Sequence, residues 1–147
     1  MKRIALSLIA ALLLAPAAWA GNSAKEEANK KLVVDFYDRV LNKKDVDAVD
    51  RYVGPYRQHN PMAADGPEGL KGFIQYLKQN APQAHFEFKR VLADGDFVIL
   101  HVHAVMAPGT RGMAIVDLFK VDQGRIVEHW DVIQDIPEKS ANANTMF

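Results

Sequence analysis

Gly124-Arg125-Ile126-Val127-Glu128-His129-Trp130-Asp131-Val132-Ile133-Gln134-Asp135 reads as a turn followed by a strand. Successive side chains of a strand point to opposite sheet faces. His129 and Asp131 therefore share one face, ~7 Å apart along the strand, while Trp130 points the other way and is assigned to packing. A histidine and an aspartate side by side on one face have the composition of an acid/base pocket.

The segments upstream set this strand in a sheet. Period-two alternation begins at His85 and runs through Phe86 and Phe88 to Ala93. Asp94-Gly95 is a hairpin signal, since the favoured two-residue turn needs positive φ at its centre. Phe97–Met106 is the returning strand. Pro108–Gly112 is a loop, Met113–Val121 a third strand, and Asp122-Gln123-Gly124 a tight turn into the fourth strand, which spans Arg125–Ile133.

The N-terminal half has helical spacing instead. Ala28, Leu32, Val33, Phe36, Tyr37, Val40 and Leu41 form one apolar stripe ending near Asn42, behind a Ser23-x-x-Glu26 capping box. Asp45–Tyr52 predicts a short second helix stopped by Gly54-Pro55. Asp65-Gly66-Pro67-Glu68 opens a third helix, buried through Leu70, Phe73, Ile74 and Leu77 and ended by Pro82. Helices followed by a meander of antiparallel strands give an α+β domain, with the helices on one face of a curved sheet and a cone-shaped hollow between the layers. Ligands favour such concave places.

Lys2-Arg3, the apolar run Ile4–Leu14 and Ala18-Trp19-Ala20 form a secretory leader over residues 1–20, too short in its apolar part to span a bilayer. The expectation is export to a periplasm with cleavage after Ala20, a single domain over residues 21–136, and a flexible tail over 137–147. Cleavage would leave 127 of the 147 residues, enough for one core. Two of the eighteen basic residues, Lys2 and Arg3, lie in the leader; sixteen remain against eighteen acidic ones, a net charge of −2. That balance offers nothing to nucleic acid. The absence of cysteine removes disulfides, thiol catalysis and thiolate ligation.

Four segments put polar groups where the pattern expects apolar ones: Gln58-His59-Asn60-Pro61; His101 and His103 within Phe97–Met106; Asp117 within Ala114–Phe119; and His129 with Asp131. An unpartnered buried carboxylate is costly, so Asp117 and Asp131 must be paired, wet or protonated. If the segments face one cavity, His59, His103, Asp117, His129 and Asp131 converge. Blander readings stand beside this one. His85 reads as a core histidine bonded to backbone. His101 and His103 fit an exposed face as well, because Val98, Leu100, Val102, Ala104 and Met106 make an equally good apolar set. Asp117 could answer Arg111 or Arg125, and Asn60-Pro61 could be only a turn.

Gln58-His59-Asn60-Pro61, Gly66-Pro67-Glu68-Gly69-Leu70, Asp117-Leu118-Phe119 and the Gly124–Gln134 motif resemble the SnoaL-like group of the nuclear transport factor 2-like superfamily. The resemblance covers essentially all of the chain after the leader. It implies a cone-shaped α+β barrel with three N-terminal helices and a homodimer through the outer sheet face. It also implies a pocket for a small hydrophobic or aromatic ligand, without cofactor or metal. From the leader itself, no membrane attachment is expected once it is cleaved. Cyclases of the group use a pocket aspartate as general acid/base in an intramolecular aldol reaction. The resemblance carries that role to Asp131 and puts His103 at a position where relatives carry acid/base or substrate-orienting groups. In the catalytic reading His129 or His103 would tune or relay the Asp131 proton.

Two functional classes follow. One is a cofactor-free acid/base enzyme (aldolase or cyclase, isomerase, or related lyase) acting on a carbonyl compound. His59 and Asn60 would hold its oxyanion, and His101, Asp117 and Phe119 would complete the substrate contacts. The other is a periplasmic binding protein that orients its ligand without reacting. A metal site built from His101, His103, His129 and Asp131 is a third arrangement the spacing allows.

Overall fold

The structure is a computed structural model that describes the backbone from residue 17 and side chains from residue 23. The expected leader lies outside the described residues except for its last four, which fall in the first helix. That helix, α1 (Ala17–Phe36), passes through Ser23 without a break, so Ser23-x-x-Glu26 is not a cap. Glu26 is used elsewhere: its Oε1 accepts the Gly95 N–H at 2.9 Å, and Asn29 Nδ2 donates to Gly95 O at 3.2 Å. Lys25 pairs with Asp96 at the same turn. This clasp also explains why Asn29 is buried while Ala28, expected in the apolar stripe, is exposed.

Helix α1 widens into a π-helical segment, Tyr37–Asn42, which buries Tyr37, Val40 and Leu41. Such widened turns are frequent at functional sites. A 3₁₀ turn (Val46–Ala48) and the short α2 (Val49–Tyr52) lead directly into strand β1 (Val53–Gln58). Strand β1 departs from the sequence reading, which took Gly54-Pro55 as a stop. Proline is tolerated at a sheet edge or bulge because no ladder donor is lost there. β1 is an edge strand, and its register with β5 shifts between Val53 and Arg57, on either side of Pro55.

Helix α3 (Gly66–Asn80) has Pro67 in its first turn and buries Leu70, Ile74 and Leu77. Phe73, expected in that stripe, is 42% exposed. The antiparallel strands are β2 (His85–Asp94), β3 (Phe97–Val105), β4 (Met113–Asp122) and β5 (Arg125–Asp135). The sheet order is β1-β5-β4-β3-β2, with β1 parallel to β5. The sheet is not closed, so the α+β architecture is an open, mixed sheet rather than a complete barrel.

The hairpin turns also differ in detail from the sequence reading. Asp94 pairs with Phe97, which places the β2–β3 turn at Gly95-Asp96, one residue later than expected. Gly95 alone takes positive φ there (58°), whereas both Gln123 (47°) and Gly124 (71°) do so in the β4–β5 turn. Glycine in the first central position fits the former turn; two positive φ values define the latter.

Register fixes which side chains meet. On the inner face, Leu100, Asp117 and Asp131 lie in one row across β3, β4 and β5, and Val98, Phe119 and His129 lie in the next. Val98, Leu100, Val102 and Ala104 are fully buried against the helical layer. Among the described residues, no helix is long and apolar enough to cross a membrane.

Candidate functional site

Between the inner sheet face and the helices lies a cavity of about 620 Å³. Phe36, Phe73, Phe86 and Phe119 contribute much of its apolar lining, and one wall is polar. That wall is built from β1, β4 and β5 with the start of the π-helical segment. Asp117 and Asp131 face each other across the β4–β5 ladder, and Phe119 is opposite His129. The imidazole of His129 stacks on Phe119 (centroids 4.6 Å apart) and reaches diagonally, so that Nε2 is 3.0 Å from Asp117 Oδ1. Tyr37 Oη donates to Asp117 Oδ2 at 3.1 Å.

Asp117 is 3% exposed and His129 is 8% exposed. Burial pushes the Asp117 carboxyl above its ordinary value, although the hydrogen bond and charge of His129 and the Tyr37 hydroxyl oppose the rise. Asp117 and His129 are therefore a buried pair organised around a shared proton. The Tyr37 phenol is pushed well up, first by burial and then by Asp117. Burial likewise raises Tyr56, so both phenols stay protonated near neutrality.

Two amides organise the rest. Gln58 Oε1 accepts the Asn60 N–H at 2.9 Å and lies 3.0 Å from His129 Nδ1; Gln58 Nε2 donates to Tyr56 Oη at 3.0 Å. With Gln58 Oε1 as the acceptor, His129 carries a proton on Nδ1. Asn60 Nδ2 contacts both Asp131 oxygens, at 2.7 and 2.9 Å, while its Oδ1 accepts the Met62 N–H at 2.8 Å. Asp131 is thus a half-buried carboxylate at the cavity wall, held in one orientation by a neutral amide. The loop carrying Asn60 packs close to α3: a Cβ on Gly69 would collide with the Ala64 carbonyl.

Of the residues selected from sequence, the structure brings Asn60, Asp117, Phe119, His129 and Asp131 to this cavity. It does not bring His59, His101 or His103. His59 follows Gln58 and so turns to the outer face, where it stacks on Trp130 (4.3 Å, 5°) and meets Glu128 Oε2 at 3.1 Å. His101 and His103 also occupy the outer face, because the alternating set Val98–Ala104 fills the interior. His101 Nδ1 accepts from Arg90 at 3.0 Å, and His103 Nε2 lies 2.8 Å from Arg111 O. The C-terminal Phe147 rests against both imidazoles, at 5.2 and 4.8 Å. His85, read as a core histidine, is exposed. Neither arginine weighed as a partner for Asp117 reaches it; Arg111 donates to Pro137 O, and Arg125 to the carbonyls of Val53 and Asp50.

The set His101, His103, His129 and Asp131 cannot hold a metal, since the first two lie across the sheet from the others. Asp117, His129 and Asp131 each offer one ligand atom, all within 4.8 Å of one another. In this arrangement, however, Asp117 Oδ1 and His129 Nε2 are hydrogen-bonded to each other and Asp131 to Asn60.

Tyr37 and Tyr56 are site residues that the sequence does not mark, and Gln58 stands in the polar segment Gln58–Pro61 with no role assigned to it there. Tyr37 has the spacing of the apolar helical stripe, which masks the role of its hydroxyl. Tyr56 and Gln58 belong to the unrecognised β1, where the i, i+2 relation would have placed both on one face.

Residues 31–139 match the family described as SnoaL-like polyketide cyclase. No curated protein matches the chain significantly in sequence. Similar solved structures include TsrD from Streptomyces laurentii, with 19% identity, a TM-score of 0.61, and coverage of 73% of this chain and 88% of that one. A candidate SnoaL-like polyketide cyclase from a Jannaschia species has 21% identity, a TM-score of 0.62 and coverage of 74% and 86%. A candidate ketosteroid isomerase from Kribbella flavida has 17% identity, a TM-score of 0.66 and coverage of 80% and 86%. At these identities the structures establish the shared fold.

Proposed function

Because the chain belongs to the SnoaL-like polyketide cyclase family, we propose that it is a cofactor-independent acid/base enzyme acting on a small hydrophobic carbonyl compound, of the aldol/cyclase, isomerase or related lyase type. The observation that carries this reading is the Asp131 carboxylate, fixed by Asn60 at the wall of an apolar cavity beside the buried Asp117–His129 pair. Asp131 removes a proton α to the carbonyl. The C–H bond breaks, an O–H bond forms on the carboxyl, and the electron pair moves to the carbonyl oxygen. The enolate carbon then takes the proton back, or forms a C–C bond to a second carbonyl whose π electrons move to its oxygen, and that oxygen takes the proton from the Asp131 carboxyl. Asn60 keeps the carboxylate aimed, which is worth more than its hydrogen bonds alone because misplacement of a base slows proton transfer steeply. Asp117 and His129 hold a second proton within the same wall.

The test is a screen of carbonyl compounds for turnover, repeated on Asp131→Asn. Loss of turnover supports the reading, and unchanged turnover removes it. A second reading, a ligand carrier without chemistry, is favoured by one observation: every buried polar side-chain atom among the described residues has a hydrogen-bond partner. Native mass spectrometry distinguishes it, since a carrier would release its ligand unchanged.

The proposal includes export, supported by Lys2-Arg3, the apolar run and Ala18-Trp19-Ala20. Protein from the periplasmic fraction should begin at Gly21. It also includes a homodimer through the outer sheet face, where Leu92, Val116 and Val132 are exposed. Sedimentation velocity should return twice the mass of the cleaved chain.

A further inference from the structure

Proton abstraction by Asp131 leaves charge on a carbonyl oxygen, and the groups first expected to receive it are not free to do so. His59 faces the other side of the sheet, and both Asn60 amide contacts go to Asp131. The Tyr37 proton is donated to Asp117.

Tyr56 is in a different position, which follows from the direction of three hydrogen bonds. The Asn60 N–H can only donate, so the Gln58 atom it meets at 2.9 Å is the oxygen. Gln58 Nε2 must then face Tyr56 Oη, at 3.0 Å, as donor. Tyr56 Oη is therefore the acceptor in its one hydrogen bond among the described residues, and its own hydrogen is committed to none of them. The residue is 5% exposed, lines the cavity and lies parallel to His129 (17° between planes). Buried hydroxyls normally find an acceptor, and the cavity is where this one would find it.

The charge of the wall limits what that acceptor belongs to. Glu68, Asp117 and Asp131 line the cavity with His129, and among the described residues no lysine or arginine lines it. A ligand carboxylate or phosphate would lose its hydration beside Asp131 without meeting a cation.

We propose that Tyr56 is the hydrogen-bond donor that reads a carbonyl oxygen, and that the cavity selects uncharged ketones or esters and rejects carboxylate-bearing analogues. This rests on the proposed reading of the cavity as a carbonyl site, but its test needs binding only, so it stands or falls separately from turnover.

Three matched fluorescent probes serve: acetylnaphthalene, ethylnaphthalene and naphthoate, titrated near neutral pH into the full mature protein and into Tyr56→Phe. Acetylnaphthalene should bind at least ~10-fold more tightly than naphthoate, since like charges brought together out of water repel strongly. Tyr56→Phe should weaken acetylnaphthalene by roughly threefold to tenfold and leave ethylnaphthalene unchanged, the latter showing that the cavity is intact. Naphthoate binding as well as the ketone, no measurable binding of the ketone, or equal ketone affinity in Tyr56→Phe would each overturn the proposal. Should Tyr56→Phe fail to fold, the ketone-to-naphthoate ratio of the wild type decides the matter. Asp131→Asn tests the other claim: ketone binding retained without turnover in any variant would leave this selectivity standing and remove the enzymatic reading.

Discussion

Replacing Asp117 separates the two jobs its carboxyl performs. Asp117→Ala removes the acceptor of Tyr37 Oη–H and the partner of His129 Nε2, both buried. Leaving a buried polar group unpaired costs about 1–3 kcal/mol, so the pair of losses should destabilise the fold by roughly 2–5 kcal/mol. Asp117→Asn has the same shape and keeps both bonds, with its oxygen accepting from Tyr37 and its amide donating to His129 Nε2. It should lie within about 1 kcal/mol of the wild type.

The two variants also differ in pH response. Burial raises the folded-state Asp117 above its ordinary 3.8, so the folded protein holds a proton that the unfolded chain has already released. This group's contribution to stability therefore falls as pH rises from the ordinary value through the raised one, with a slope of at most about 1.4 kcal/mol per pH unit. Asp117→Asn should lose that slope and gain on the wild type as pH increases. Urea unfolding followed by circular dichroism, from about pH 4 to about pH 8, measures both effects. Equal destabilisation by asparagine and alanine would refute the reasoning, because it would mean that the charge and not the hydrogen bonding of Asp117 sustains the wall.

Gly69→Ala should force the Asn60 loop away from α3; with Asp131 no longer held, turnover should fall ~10-fold or more while urea stability drops by about 1–3 kcal/mol. His103→Ala removes a side chain on the outer face, and turnover and ketone affinity should both remain within about twofold of wild type. Gln123→Gly relieves a left-handed backbone position at φ 47°. It should leave function alone and raise stability by up to about 1 kcal/mol, read from the urea midpoint.

The helices and the four antiparallel strands β2–β5 were legible because hydrophobic period is a local property: 3.6 through Leu41, then two from His85 onward. Two parts of the site were not. Strand β1 was hidden by Gly54-Pro55, which reads as a breaker until its edge position is known. With the strand went Tyr56 and the inward direction of Gln58. The alternation rule itself argued against pairing His59 with Asn60, since adjacent residues of an extended segment face opposite ways; it is Gln58 and Asn60 that turn inward together. For β3 the ambiguity was real. His101 and His103 alternate as regularly as Val98 and Leu100, and only the helical layer decides which set is interior. Glu26 shows the same limit from another side. Its spacing from Ser23 suits a helix cap, yet the helix starts earlier and the carboxylate binds a hairpin turn 69 residues away.

The central claim is that Asp131, held by Asn60, removes protons from carbonyl compounds bound in the cavity. It is tested most directly by following exchange of the α-protons of β-tetralone in heavy water by NMR. The account predicts exchange faster than in buffer alone, lowered ~100-fold or more in Asp131→Asn. Exchange at the buffer rate with the wild-type protein, or equal exchange with Asp131→Asn, would contradict it.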